Sequence, residues 1–355
     1  MLTKVKVGVI GAGSLGKEHA RIYAQLASGG HVEFMGVCDT LPDAARKVAE
    51  KYRVQSFASI AEASAACNAL SVVTPTSTHF DIARVLLKEG KHLLVEKPMT
   101  DHAGQAAELV QLAQEQKLIL QIGHVERFNP VFRYLESVAK EPRFIEAHRL
   151  SPFPARSTDI GVVLDLMIHD LDVVLAFVKA PIISVDSVGI PVLSSSEDIA
   201  NARLRFANGC VANLTASRVS PERMRKIRVF SGGAFTSYVS LDYRAQEGFI
   251  YRIARDGEDE SSLLKKLLAA RDSTIVSEFG GKRIVREPVP LEKDEPLKLE
   301  LRSFIDCVHA RQAPVVSGES GKRALDLALE ITRQIQAANS ESTAKERERV
   351  IGTLV

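Results

Sequence analysis

The chain of 355 residues contains no tryptophan, and aromatic residues of all kinds make up only 6% of it. So few large flat side chains argue against the stacking platforms that bind single-stranded nucleic acid. Charge of one sign is missing too. Forty-six Lys and Arg against 44 Asp and Glu leave +2, with no field to attract nucleic acid or a membrane surface. No apolar run approaches the ~20 residues needed to cross a bilayer. The four cysteines, Cys38, Cys67, Cys210 and Cys307, lie far apart with no C-x-x-C pair. That spacing gives little support to a disulfide framework or a zinc site and points to a reducing compartment. The opening residues enter an apolar strand without the basic, apolar and small-residue succession of a secretory signal. A cytoplasmic location is therefore expected.

What is present has the proportions of a globular protein: 45% hydrophobic and 25% charged residues, with length for about two domains. The first 125 residues alternate short apolar runs (5–10, 32–38, 70–74, 92–95 and 118–122) with amphipathic stretches (15–26, 42–52, 80–89 and 103–116). Alternation of this kind implies βαβ units and a parallel sheet covered on both faces, a Rossmann-type doubly wound α/β domain. Beyond Arg143 the pattern changes. Ala202, Leu204 and Phe206 alternate with Asn201, Arg203 and Arg205, the period of a half-buried strand. Asn208-Gly209 then marks a hairpin turn, and 226–230, 235–241 and 248–254 read as further strands. Residues 126–340 are thus expected to form an α+β domain with a large, mostly antiparallel sheet. The acidic stretch 256–266 reads as a surface excursion, and a long helix over 321–338 closes the fold ahead of a polar, frayed tail at 341–355. A sheet of this kind leaves one face thinly covered, so a homodimer or homotetramer is expected.

The sharpest local signal is Gly11-Ala12-Gly13-Ser14-Leu15-Gly16, which follows a strand and opens a helix. Gly11 permits the tight turn, Gly13 lets backbone amides approach a pyrophosphate, and Gly16 allows close helix–strand packing. The positive end of the helix then faces the phosphates. Asp39, at the end of the second strand, is placed to accept ribose hydroxyls. Its charge would repel a 2′-phosphate, which favours NAD over NADP; the competing reading is a helix cap ahead of Pro42. Glu96-Lys97-Pro98 follows the predicted strand 92–95, at the strand end where ligands of open parallel sheets gather. Pro98 holds Lys97 out of helical geometry, although a lysine in this position can equally be solvated. Asp165 and His169 are spaced i, i+4, with Asp172 three residues on, and are read as sharing one helix face. The carboxylate would orient the imidazole as a general base requires. A surface acid–histidine pair and a metal pair compete with that reading, and the metal pair has no identifiable third ligand, so no metal is expected.

Together these residues resemble the Gfo/Idh/MocA family of nicotinamide-dependent dehydrogenases. The resemblance spans nearly the whole chain: Gly11–Gly16, Thr74-Pro75-Thr76-Ser77-Thr78-His79, Glu96-Lys97-Pro98, and Asp165 through His169. It implies that NAD is held by Gly11, Gly13, Ser14, Leu15, Gly16, Asp39, Thr74, Pro75, Thr76, His79, Glu96 and Lys97. It also implies that His169 takes the hydroxyl proton, that Lys97 stabilises the developing oxygen, and that Asp165 helps hold the substrate. The glycine-rich approach to the last motif is thinned here to Ile160-Gly161-Val162-Val163-Leu164. Gly16-Lys17-Glu18-His19-Ala20-Arg21 and Gly123-His124-Val125-Glu126-Arg127-Phe128-Asn129-Pro130 are similar to the branch that oxidises UDP-N-acetylglucosamine at C3. On that resemblance the partner is a nucleotide sugar, met by Arg127, Asn129 and Arg156 beside Asp165 and His169. Arginine forks well onto a diphosphate, so Arg218, Arg223 and Arg225 are further candidates. Asn129 ahead of Pro130 also has the makings of a plain helix cap. A free sugar or inositol is the alternative substrate, and a non-catalytic NAD-bound sensor the alternative class.

Overall fold

The computed structural model describes residues 4–153, 160–232, 236–254, 274–279 and 282–353, with side-chain surroundings described up to residue 340 outside 274–279. They fall into two compact units, Met1–Phe128 with Glu295–Leu329, and Asn129–Asp294 with Glu330–Val355.

The first unit begins with β1 (Lys6–Ile10), α1 (Ser14–Ser28), β2 (Glu33–Cys38) and α2 (Pro42–Tyr52), then β3 (Gln55–Phe57) and α3 (Ile60–Ala66). It continues through β4 (Ala69–Val72), α4 (Thr76–Lys88), β5 (His92–Glu96), α5 (Ala103–Glu115) and β6 (Leu120–Gly123). The six strands order as β3-β2-β1-β4-β5-β6, and every pairing is parallel. The strand order reverses between β1 and β4, where doubly wound sheets take their ligands. The residues of β4, β5 and β6 are buried throughout, as strands covered on both faces must be. The short β3 and the α3 helix after it carry no legible sequence signal, because β3 has a single buried residue, Phe57.

The expected second domain, continuous from 126 to 340, is not what the chain builds. After β6 comes a 3₁₀ turn, Val125–Phe128, and then the chain leaves the first unit. It returns with α8 (Pro296–Ala310). Leu301, Phe304, Ile305 and Val308 of α8 join Ala20, Ile22 and Tyr23 of α1 in one apolar cluster. Ile122 N–H donates to Val316 O at 3.0 Å, so the returning segment also finishes the β6 edge. Burial of these apolar side chains outweighs sequence order.

The second unit holds α6 (Pro130–Val138), β7 (Pro142–Leu150), a π turn (Val163–Met167) running into α7 (Ile168–Phe177), and β8 (Ile182–Ile190). There follow β9 (Ile199–Phe206), β10 (Val211–Ser217), β11 (Met224–Ser231), β12 (Ser237–Asp242), β13 (Glu247–Ile253), β14 (Thr274–Phe279) and β15 (Lys282–Pro288). Among the described residues these form a nine-stranded sheet, β14-β15-β13-β12-β11-β7-β10-β9-β8, antiparallel except between β7 and β10. The expected hairpin joins β9 to β10, with Gly209 at φ +81°, a value that favours glycine. On this sheet Phe144, Phe230, Tyr238 and Tyr251 form a cross-strand aromatic stripe, with ring centroids 5.8, 4.5 and 5.0 Å apart in succession. The expected excursion at 256–266 lies outside the described residues. The expected frayed tail is instead helical: α9 runs Gly318–Thr353, because its Glu, Lys and Arg residues, though polar, are strong helix formers, as is its Ala.

One buried ion pair organises the second unit. Arg218 and Asp198 are both fully buried, with Nε donating to Oδ1 at 2.7 Å. Arg218 also donates to Ile160 O at 2.7 Å and to Ser194 Oγ at 2.8 Å. Asp198 Oδ2 accepts from the N–H groups of Val192, Leu193 and Ser194. Burial alone would raise the Asp198 carboxyl, but these bonds, led by that of Leu193, hold it far below the usual carboxylate range. Its stabilising contribution is therefore in place above the unfolded value of about 4 and disappears only as pH falls through the depressed native value. Asp198→Asn should lower stability by about 3–5 kcal/mol near neutrality, since one buried charge loses its partner. A urea midpoint unchanged from wild type at pH 7 would refute this.

Candidate active site

The turn after β1 is built from backbone touching backbone. Gly11 sits at φ +106°, and a Cβ there would lie 2.2 Å from Val73 O. A Cβ on Gly16 would lie 2.0 Å from Gly11 O. Gly13 differs: nothing lies within 4 Å of where its Cβ would stand, and with Ser14 and Leu15 it is exposed. Gly11 and Gly16 therefore close the turn, while Gly13 leaves its outer side open to a ligand's approach.

Asp39 completes this turn. Its Oδ2 accepts from Ala12 N–H at 2.6 Å and its Oδ1 from Leu41 N–H at 2.8 Å. The helix cap itself is Leu41, so Asp39 is not the cap of the competing reading. Each carboxylate oxygen keeps a lone pair for a further donor. Gly11, Gly13, Asp39, Ser59, Thr74 and Pro75 line a cavity of about 500 Å³. Its size, the open Gly13 and the half-buried carboxylate fit the adenosine half of a dinucleotide, with the first turn of α1 for its pyrophosphate.

Two expected cofactor residues have other work. His79 is 1% exposed, with Nδ1 2.9 Å from Pro98 O and Nε2 2.8 Å from Thr74 O. It links the turn after β4 to the turn after β5 from inside and offers no free edge to a ligand. Glu96 is also buried: Oε1 faces His19 Nε2 at 3.0 Å, and Oε2 accepts from Lys97 N–H at 3.3 Å. A Cβ on Gly123 would come within 2.7 Å of the Glu96 carboxyl, so glycine there makes room for it. Lys97, half-buried and followed by a cis peptide to Pro98, is thus held between His19 of α1 and His79 of α4. Thr74 and Thr76 are half-buried and Pro75 exposed, and Thr78 Oγ1 donates to Pro75 O at 2.8 Å, which fixes the loop.

In the second unit Asp165 lies in the π turn and Asp165 and His169 are both half-buried. π turns recur at functional sites. Asp172, three residues further on in α7, is 2% exposed and so more deeply buried than Asp165 and His169. Glu197 supports the turn: its Oε1 accepts from Val163 N–H at 3.3 Å and its O from Val162 N–H at 2.9 Å. Burial pushes the Glu197 carboxyl up. A Cβ on Gly161 would stand 1.9 Å from that carboxyl, so the single glycine retained in the thinned segment is sterically required. Arg149 grips Asp170, next to His169, through two bonds of 2.8 and 3.0 Å. None of Glu197, Asp198 and Arg149 carries a readable sequence signal, because an acidic pair before a strand and an arginine within one look like solvated surface.

The remaining candidates divide. Asn129 is 3% exposed; Oδ1 accepts from Val131 N–H and Nδ2 donates to Tyr243 O, both at 3.1 Å. Its side chain caps α6 and serves the fold rather than a substrate. Arg218 is likewise committed to Asp198. Arg127 is half-buried in the 3₁₀ turn, and Arg156 lies outside the described residues. Among the described residues no group of three or more His, Cys, Asp or Glu is arranged to hold a metal ion, and no helix is long and apolar enough to cross a membrane.

Comparison with known proteins matches residues 5–124 to the oxidoreductase family with an NAD-binding Rossmann fold and residues 136–233 to the GFO/IDH/MocA C-terminal domain. The UDP-N-acetylglucosamine 3-dehydrogenase of Acidithiobacillus ferrooxidans is 36% identical over 334 residues, covering 94% of this chain and 98% of that one. Its crystal structure superposes with a TM-score of 0.81. The scyllo-inositol 2-dehydrogenase (NAD(+)) of Bacillus subtilis is 25% identical, covering 95% of this chain and 94% of its own. A levoglucosan dehydrogenase in complex with NADH and L-sorbose shares the fold at 14% identity, with a TM-score of 0.78 over 94% of this chain and 97% of that one.

The two glycines give a paired test. Gly13→Ala should fold normally yet weaken NAD binding by about tenfold or more, ~1.4 kcal/mol, measured by calorimetric titration. Gly11→Ala should instead lower the melting temperature, because both its φ and its approach to Val73 exclude a side chain. Equal effects of the two on NAD affinity and on stability would refute the division of labour.

Proposed function

Because the chain belongs to the Gfo/Idh/MocA oxidoreductase family, we propose that it is an NAD-dependent dehydrogenase of a nucleotide sugar. The reaction is oxidation of the C3 hydroxyl of UDP-N-acetylglucosamine to the 3-keto sugar. The observation that carries this reading is the 36% identity, over 94% of the chain, to an enzyme named for that reaction.

NAD, when bound, accepts the hydride from the carbon that bears the hydroxyl. Everything else falls to the protein. The glycine-rich turn, Asp39 and Thr74–Thr76 hold and orient the cofactor. His169 takes the hydroxyl proton as general base, and Asp165 orients the imidazole and favours its protonated form. Lys97 stabilises the negative charge that develops on the same oxygen. Its ammonium sits on a turn braced at Glu96 by His19 and at Pro98 by His79, so little reorganisation is required of it. Arg127 is the proposed partner of the diphosphate. Three of the four cysteines are buried and all four are free thiols, which supports a reducing, cytoplasmic setting.

The test is NADH absorbance on mixing NAD with UDP-N-acetylglucosamine, with hydroxylamine present to trap the ketone. NADH should form. His169→Ala should lower kcat by about 10²–10⁴-fold and Lys97→Ala by about 10²–10³-fold, with NAD affinity intact in both. Normal turnover in either variant removes that residue from the mechanism. NADH formed from free inositols, and none from the nucleotide sugar, would transfer the enzyme to the reading that the Bacillus relative favours.

The aromatic stripe of the large sheet further supports self-association. Phe230, 37% exposed, is its most exposed ring, and burying such a stripe against a second copy is a common basis for a symmetric dimer. Light scattering should show a dimer or tetramer that Phe230→Glu converts to smaller species; a monomeric wild type at micromolar concentration would refute this.

A further inference from the structure

The amino ends of β1, β4 and β5, neighbours in the parallel sheet, border an open cavity of about 570 Å³ together with the last turn of α8. The glycine-rich turn follows the opposite end of β1, which at ~3.3 Å per residue lies roughly 16 Å away. This cavity is therefore not part of the cofactor site. Its wall carries Lys4, Lys6, Lys91, His92, His309 and Arg311, and no Asp or Glu. Among the described residues none of the three lysines or Arg311 forms an ion pair. Gathering unpaired cations around one opening costs repulsion that folding does not return.

His92 gives the cavity a built floor. It is 4% exposed, and its Nδ1 accepts from Ile119 N–H at 2.9 Å. The neutral ring therefore carries its proton on Nε2, for which the described residues provide no acceptor. Burial, reinforced by the charge of Arg311, draws the imidazole down to about 4. Lys91 Nζ donates to Cys67 O at 3.0 Å, which fixes the ammonium at the wall and leaves two of its hydrogens for another acceptor. Val5 and Val308 supply apolar wall, and the volume falls within the ~300–1,000 Å³ of small-molecule sites.

We propose that this cavity binds a multiply charged oxyanion, a phosphate-bearing small molecule, at a site separate from that of NAD. The anion accepts from His92 Nε2–H and Lys91 and is flanked by Lys4, Lys6 and Arg311.

The test uses the full chain saturated with NAD, so that the glycine-rich turn is already filled, and titrates pyrophosphate in low-salt buffer. Calorimetry reads the affinity, and the ring resonances of His92 report the place. Pyrophosphate should bind at one equivalent, shift the His92 resonances and raise its pKa. The double variant Lys91→Gln/Arg311→Gln should bind at least about tenfold more weakly, with NAD affinity unchanged. Lys4→Gln/Lys6→Gln, which alters exposed side chains, provides a second variant should the first fold poorly, with the same loss expected. Undetectable binding, binding that leaves His92 unshifted, or equal affinity in a well-folded variant would each overturn the proposal.

Discussion

The first unit depends on a close approach of backbone to backbone. Gly11 lies against the carbonyl of Val73, and Gly16 against that of Gly11, at separations that no Cβ would survive. That approach seats the start of α1 directly over the end of β1, beside the turn after β4. The helix amides then converge on one point, Ala12 N–H is brought within reach of Asp39, and the outer side of Gly13 is left for a ligand. Any side chain at either glycine would push the helix away and open the turn. The cavity, the orientation of Asp39 and the positive helix end all follow from two missing methyl groups.

Around that turn the protein spends buried polar groups on geometry rather than on chemistry. His19 holds Glu96 and His79 holds Pro98 O, so the residues on both sides of Lys97 are pinned from the helices flanking the switch point. In the second unit Arg218, Asp198 and Glu197 do the same for the turn that opens the helix of Asp165 and His169. Buried polar atoms are costly when unpaired. A network that pairs them tolerates few alternative arrangements, which is how a site can be held to a fraction of an ångström.

Some site residues are more legible in the sequence than others. Gly11, Gly13, Gly16 and Asp39 are readable because their roles are set by neighbours in sequence: a strand before, a helix after, an acid at the end of the next strand. Glu96 and His79 fall in the right motifs to touch a cofactor, yet Glu96 turns inward to His19 and His79 spans two backbone carbonyls. Asn129 is poised in sequence between cap and ligand, and its bonds to Val131 and Tyr243 settle it as a cap. Arg218 resembles a surface arginine in sequence because its partner, Asp198, is twenty residues away, ahead of a different strand.

The sequence by itself determined the alternation of strand and helix in the first unit, the glycine-rich turn, the half-buried rhythm of β9 and β10 and their hairpin. Each of these rests on local periodicity or on a backbone conformation that one residue type permits. Only the tertiary structure decided that Glu295–Leu329 rejoins the first unit, that His19 and His79 brace Lys97, and that six basic side chains from two strand starts and a helix end share one cavity. Those outcomes come from burial and from pairing between positions tens to hundreds of residues apart. Apolar area and hydrogen-bond partners across such distances leave no periodic trace along the chain.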